Sequence, residues 1–248
     1  MNNYKIEKII NKFLKIENYE DYAPNGLQIE GKEDIKKIIT GVSASKDFIK
    51  KSVENSADAI LVHHGYFWNN EPKTIIGAKK DRIKLLLENN INLYSYHLPL
   101  DGHPTVGNNI QLAKLLQVEI ISFINPFLII GKFNVPITTY MLSNIIYDRF
   151  NNPPRLFKYK NQESKIYTIA ISSGNGQNFI HCLKKYDVDA FLTGEISENI
   201  FNLAKEMKIH FYALGHYATE KYGVQALGEW IKKTCNVNTC FVDINSPV

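Results

Sequence analysis

A chain of 248 residues that is 44% hydrophobic and 22% charged, with a net charge of +4, has ordinary globular composition, and its length allows one large or two modest domains. The lysine excess is scattered, as at Lys36, Lys37, Lys50, Lys51, Lys79 and Lys80, and reads as solvated helix faces; no aromatic-interleaved basic stripe marks a nucleic-acid surface. No apolar run reaches the roughly 18 residues of a membrane span, the start Met1–Glu7 is unlike a signal peptide, and Cys182, Cys235 and Cys240 lack CxxC spacing, so a cytoplasmic protein with reduced thiols is expected.

Residues 4–16 place Ile6, Ile9, Ile10, Phe13 and Leu14 at helical spacing. Asp21 to Gln28 reads as a turn-rich loop, because Pro24 fixes φ and Asn25-Gly26 tolerates positive φ. A β-rich run follows within 35–45, then a helix near 46–55, a strand at 59–64, a helix at 78–89 and a strand at 91–97. Gly107-Asn108-Asn109 opens a further helix to about Leu116. After a middle segment come a helix at 137–150 and a break at Asn151-Asn152-Pro153-Pro154. Strands at 165–172, 188–193, 209–214 and 238–244 then alternate with helices at 177–186, 197–207 and 218–234. This alternation predicts an α/β protein with mostly parallel sheets.

The order strand, helix, strand, helix, strand, helix occurs twice. Val42-Ser43-Ala44-Ser45 is echoed by Ile171-Ser172-Ser173-Gly174, and Asp58 to His64 by Asp189 to Glu195. Ile91 to His97 is echoed by Ile209 to Leu214, with His216 just beyond, and Asn109 to Leu112 by Gly223 to Ala226. Two similar α/β lobes are expected, residues 1–124 and 125–248. Ligands of open α/β sheets bind beyond the carboxyl ends of the strands. His63, His64, His97, Glu195 and His216 fall at those ends, so facing lobes would share one cleft.

Imidazole nitrogen and carboxylate oxygen suit Zn, Mn, Fe, Co or Ni, and no thiolate stands near them. His63 and His64 are neighbours on a strand, so their side chains should diverge and serve one cation each unless the backbone turns at once, which Gly65 would permit. His216 and Glu220 are four apart and can share a face of a helix that starts near Tyr217. Asp101 follows Pro99 in a loop, His97 is open to a ligand, supporting or general-acid role, and His103 is a candidate for the cleft rim. Glu195 holds in the second repeat the place of the histidine pair, and a purely structural acceptor role remains open for it. His181 and His210 read as structural, and Tyr66, Phe67 and Trp68 as core packing or a stacking surface.

The strings Asn25-Gly26-Leu27-Gln28, His63 to Trp68, His97-Leu98-Pro99-Leu100-Asp101, Gly107-Asn108-Asn109, Thr193-Gly194-Glu195 and Gly215 to Glu220 resemble the Nif-three-like family, often labelled GTP cyclohydrolase 1 type 2 homolog. The resemblance runs from about residue 4 to the end and matches the compact form without a large middle domain. It implies a dinuclear metal site in the cleft between two lobes, with ligands on His63, His64, Asp101, His216 and Glu220. It also implies a ring-shaped homohexamer, a trimer of dimers. The function this suggests is a hydrolase with two divalent cations that opens the guanine imidazole ring of GTP with release of formate, or cleaves a phosphoester, with His97 or Glu195 moving the proton. The alternative is a non-catalytic metal-binding ring that holds a protein or nucleic acid.

Overall fold

The computed structural model describes residues 1–151, 153–160, 163–244 and 246. In chain order the elements are α1 (Asn3–Leu14), β1 (Gly26–Ile29), β2 (Lys37–Ser43), α2 (Lys46–Glu54), β3 (Ala59–His64), α3 (Gly77–Glu88), β4 (Asn92–Ser95), α4 (Leu98–Asp101), α5 (Asn108–Leu115), β5 (Glu119–Asn125), β6 (Leu128–Thr138), α6 (Thr139–Phe150), β7 (Arg155–Phe157), β8 (Lys165–Ile171), β9 (Ala190–Thr193), α7 (Glu198–Glu206), β10 (His210–Ala213), α8 (His216–Cys235) and β11 (Asn238–Phe241). Met1–Val106 forms one compact unit with the stretch that begins at Gly223, and Gly107–Tyr222 forms a second. The units are therefore not consecutive halves divided at 124/125: β11, from the far end of the chain, pairs in parallel with β2. Among the described residues no helix is long and apolar enough to cross a membrane.

The first unit holds a five-stranded sheet in the order β1-β4-β3-β2-β11. Only β1–β4 is antiparallel; the other pairings are parallel. Its central strands are near-continuous apolar runs, as strands covered on both faces must be. Alternation sorts them cleanly. Ile38, Leu61 and Tyr94 face a core with Ile6, Ile10 and Leu14 of α1 and Val224, Leu227 and Ile231 of α8. Ile39, Ile60, Val62 and Leu93 face Phe48 and Ile49 of α2 and Ile83 and Leu86 of α3. Asn2 caps α1 by accepting from the Lys5 N–H at 3.1 Å, and Ile6, Ile10 and Leu14 recur every four residues, which gives the helix its buried stripe.

The second unit holds a six-stranded sheet, β5-β6-β8-β9-β10-β7. Here only β8–β9 and β9–β10 are parallel, so the expectation of mostly parallel sheets holds for the first unit and is corrected to a mixed sheet for the second. The difference arises from β5 and β6, which the apolar pattern did not reveal. Ile121 and Phe123 on the edge strand β5 are 50% and 57% exposed, so its outward face lacks the polar alternation of a half-buried strand. The hairpin turns on Asn125, whose Oδ1 accepts from the Phe127 N–H at 2.8 Å. The helix expected at 177–186 is present as a 3₁₀ helix over 177–185, and Gly26 to Gln28, read as the end of a loop, belong to β1, which pairs with β4. Asn152 of the expected break lies outside the described residues.

The internal echo has a topological counterpart. Three parallel strands in sequential order, β2-β3-β4 in one sheet and β8-β9-β10 in the other, each carry an antiparallel strand against the third, β1 or β7. β3 ends on His64, and His97 lies two residues past β4. Glu195 lies two residues past β9, and His216 three past β10.

Candidate metal centre

In the first unit three imidazoles meet at the ends of β3 and β4. The ring centroid of His63 is 4.7 Å from that of His64 and 5.0 Å from that of His97, and His64 and His97 are 5.8 Å apart. One ligand nitrogen from each lies within 4.8 Å of the others. The expectation that neighbouring histidines on a strand diverge is thus modified: the strand ends at His64, and both rings reach the same cluster. Gly65 permits this by close packing rather than by positive φ. A Cβ there would stand 2.6 Å from Ser95 Cβ and collide with Gln28 Oε1. Gln28 itself clamps the following residue, accepting from the Tyr66 N–H at 2.8 Å and donating to the Tyr66 carbonyl at 3.0 Å.

Hydrogen bonds decide which nitrogens are available as donors to a cation. His63 Nδ1 is 2.9 Å from the Tyr96 carbonyl, which can only accept, so Nδ1 carries a proton and the neutral form of the ring has its lone pair on Nε2. His63 is fully buried, and that Nε2 is 3.5 Å from Asp101 Oδ2. His97 Nδ1 donates to Asp21 Oδ1 at 2.7 Å, which fixes the same tautomer. Asp21 is in turn held by the Leu98 N–H at 2.9 Å and by Asn25 Nδ2 at 2.8 Å, while Asn25 Oδ1 accepts from the His97 N–H at 2.8 Å. Burial opposes the Asp21 carboxylate, but hydrogen bonds from His97, Asn25 and Leu98 outweigh it and keep its pKa below the usual value. His64 Nδ1 pairs with Ser43 Oγ at 3.1 Å. Trp68 packs edge-on to His97 at 4.9 Å, whereas Tyr66 is buried and donates to the Ala44 carbonyl, so that part of the aromatic run is core. His103 is buried against Phe13, its Nε2 bonded to the Phe13 carbonyl at 3.1 Å, and so lies in a structural contact.

The second unit presents an imidazole between two carboxylates. His216 opens α8; its Nδ1 is 2.5 Å from Glu195 Oε1 and its Nε2 is 3.0 Å from Glu220 Oε2, one turn further on. Burial disfavours the imidazolium, yet Glu220 and then Glu195 outweigh burial and raise the His216 pKa to about 9. Three glycines bring backbone up to this pair. The Gly194 N–H donates to the Gly174 carbonyl at 3.1 Å, and the Gly215 N–H donates to the Gly194 carbonyl at 2.9 Å. Gly174 has φ +57°, and a Cβ there would collide with the Glu220 carboxylate and stand 3.2 Å from His216 Nε2. Thr219 Oγ1 accepts from the Gly174 N–H at 2.9 Å, tying that loop to α8. A cavity of about 630 Å³ in this unit is lined by residues that include Arg155, Glu195, Ile196, Leu214 and His216.

Sequence reasoning did not single out Asp21, Ser43 or Gly174. Asp21 looked like a turn residue, although it begins the loop whose Asn25-Gly26-Leu27-Gln28 string carries the family resemblance. Among the described residues His210 lies buried in β10, outside both clusters, and the exposed Cys182 and Cys240 and the buried Cys235 take no part in them. The donors are nitrogen and oxygen throughout, with two Nε2 lone pairs fixed by partners on Nδ1, and a glycine where a Cβ would fill the space beside Glu220. That donor set fits a divalent first-row cation.

An α/β protein with imidazoles and carboxylates gathered beyond parallel strand ends, in groups that could hold a metal ion, is thus the class that the fold and donors define. The particular family follows from comparison: a model of Duf34/NIF3 (NGG1p interacting factor 3) matches residues 1–247, and the chain belongs to that family. A relative from Yersinia pestis named GTP cyclohydrolase 1 type 2 homolog is 45% identical over 247 residues, covering 100% of both chains. Among solved structures, the protein ybgI, described as of unknown function, is 43% identical with a TM-score of 0.96 over 100% of both chains. TTHA1606 from Thermus thermophilus is 30% identical with a TM-score of 0.88, again over 100% of both.

Proposed function

We propose that this protein is a metal-dependent hydrolase in which His63, His64 and Asp101 of the first unit and His216 and Glu220 of the second hold a pair of divalent cations in a cleft between two lobes. The observation that carries this reading is the fixed tautomer of His63: a buried imidazole whose Nδ1 is spent on a carbonyl offers Nε2 and nothing else. When bound, such cations supply Lewis acidity and an activated water near neutral pH.

The chain's own groups have distinct tasks. Asp21 orients His97, and the pair is arranged to hold or pass a proton at His97 Nε2. Glu195 holds the His216 ring by Nδ1 and turns Nε2 toward Glu220. We read Glu195 as a positioning residue for that reason. The name carried by relatives makes a nucleotide such as GTP the first substrate to try, with formate as the product of ring opening. Self-assembly into a homohexamer and a cytoplasmic setting belong to the same reading, and light scattering of the purified protein tests the first.

The test is metal analysis followed by turnover. Purified protein dialysed against Zn, Mn, Fe, Co or Ni is expected to retain two ions per chain, and His64→Ala and Glu220→Ala each to lose at least one. Formate from GTP supports ring opening, and inorganic phosphate supports phosphoester cleavage. No turnover with any metal across a nucleotide panel would sink the hydrolase reading and leave a metal-binding protein without catalysis.

A further inference from the structure

The cavity of the second unit contains a cationic side chain that the reading above does not use. Arg155 lies on the edge strand β7, in register with Ala213 of β10, and β10 leads directly to His216. Both Arg155 and His216 line the cavity, which is large enough for a substrate of nucleotide size. Among the described residues no carboxylate forms an ion pair with the Arg155 guanidinium. Glu195, the carboxylate among the lining residues, is occupied by His216 at 2.5 Å. Pro153 and Pro154 precede Arg155 and stiffen its approach, since proline fixes its own φ and restricts the residue before it. Ile196 and Leu214 add apolar wall, where a charge pair is screened less than in open water.

We propose that this cavity holds the phosphate end of the substrate and that Arg155 is the residue that recognises it. A planar guanidinium matches two phosphate oxygens at once, which a lysine ammonium cannot do. An exposed, acid-free arginine beside a hydrolytic centre is then a specificity group: it selects phosphorylated substrates and sets which end of them points away from the cations. The inference rests on the hydrolase reading for its biological sense, but the binding can be measured without metal.

The experiment uses the full chain stripped with EDTA and titrated with inorganic phosphate, GMP and guanosine, followed by phosphorus and proton NMR. Phosphate and GMP are expected to bind, GMP at least as tightly as phosphate. Arg155→Gln should weaken both at least 10-fold, Arg155→Lys should fall between, and guanosine should not respond to either change. Equal affinities in wild type and Arg155→Gln, absence of phosphate binding to wild type, or binding of phosphate but not GMP would each overturn the proposal. Zinc uptake, measured on the same proteins after the EDTA is removed and zinc is added back, reports separately. Wild type that binds GMP through Arg155 but takes up no zinc would refute the metal reading while leaving this one standing.

Discussion

Replacing Gly174 by alanine tests whether Glu220 is a ligand, and the structure supplies its control. Gly174 has φ +57°, and a Cβ there would collide with the Glu220 carboxylate. Gly77, at the start of α3, has φ +54° and nothing within 4 Å of the position its Cβ would take. Alanine in the left-handed region costs roughly 1–2 kcal/mol at either site. For a chain of this length that lowers Tm by about 2–8 °C. Only Gly174→Ala must also move the carboxylate, off its rotamer or away from His216 Nε2. Disturbing the shell around a metal ligand typically weakens metal affinity by about 10- to 100-fold. The assay is zinc competition against a chromogenic chelator, with a thermal melt of each protein with and without zinc. Gly174→Ala should lose 10-fold or more in zinc affinity and most of the zinc-induced rise in Tm, whereas Gly77→Ala should bind zinc as wild type does. Wild-type zinc affinity in folded Gly174→Ala would remove Glu220 from the ligand set.

Three further outcomes are expected. Asp21→Asn replaces the acceptor that fixes the His97 tautomer, so any turnover should shift in its pH profile, and zinc affinity should drop by about 10-fold if His97 supports the ligands; an unchanged profile argues for a purely structural loop. His210 is buried, and burial, with help from Lys158 and Lys160, lowers its pKa to about 4. The unfolded chain, with a value near 6.5, then binds the extra proton, so this group's stability contribution is complete above about pH 6.5 and is lost as pH falls toward 4, at most about 3 kcal/mol; His210→Phe should flatten urea-derived stability by about one proton in that window. Gly65→Ala should destabilise by about 1–3 kcal/mol through overpacking against Ser95 and Gln28, measured by urea denaturation, and wild-type stability would show that Gln28 can yield.

Much of this architecture was legible because parallel strands buried on both faces announce themselves. Ala59 to Val62 and Ala190 to Thr193 are short apolar runs bounded by chemistry-bearing residues, and both proved to be central strands. The family, too, followed from six short strings. What stayed hidden depended on tertiary context. Edge strand β5 exposes Ile121 and Phe123, and β1 needs β4 beside it before Gly26 to Ile29 becomes a strand. Asp21 and Gly174 were invisible for a sharper reason. A carboxylate 76 residues from the histidine it orients, or a glycine whose only marked property is the missing Cβ beside Glu220, leaves no periodic trace in the chain. Candidate ligands are readable because few residue types bind metals, but the groups that select one tautomer of those ligands are ordinary turn residues until the fold brings them into contact. The tautomer is therefore where the structure adds most to the sequence: His63 and His97 each have Nδ1 held by an oxygen acceptor, one a carbonyl and the other a carboxylate, and both leave Nε2 as the donor. With the two rings 5.0 Å apart, the proposed ligand nitrogen of His63 and the proposed proton-holding nitrogen of His97 are set side by side by partners that no sequence pattern announces.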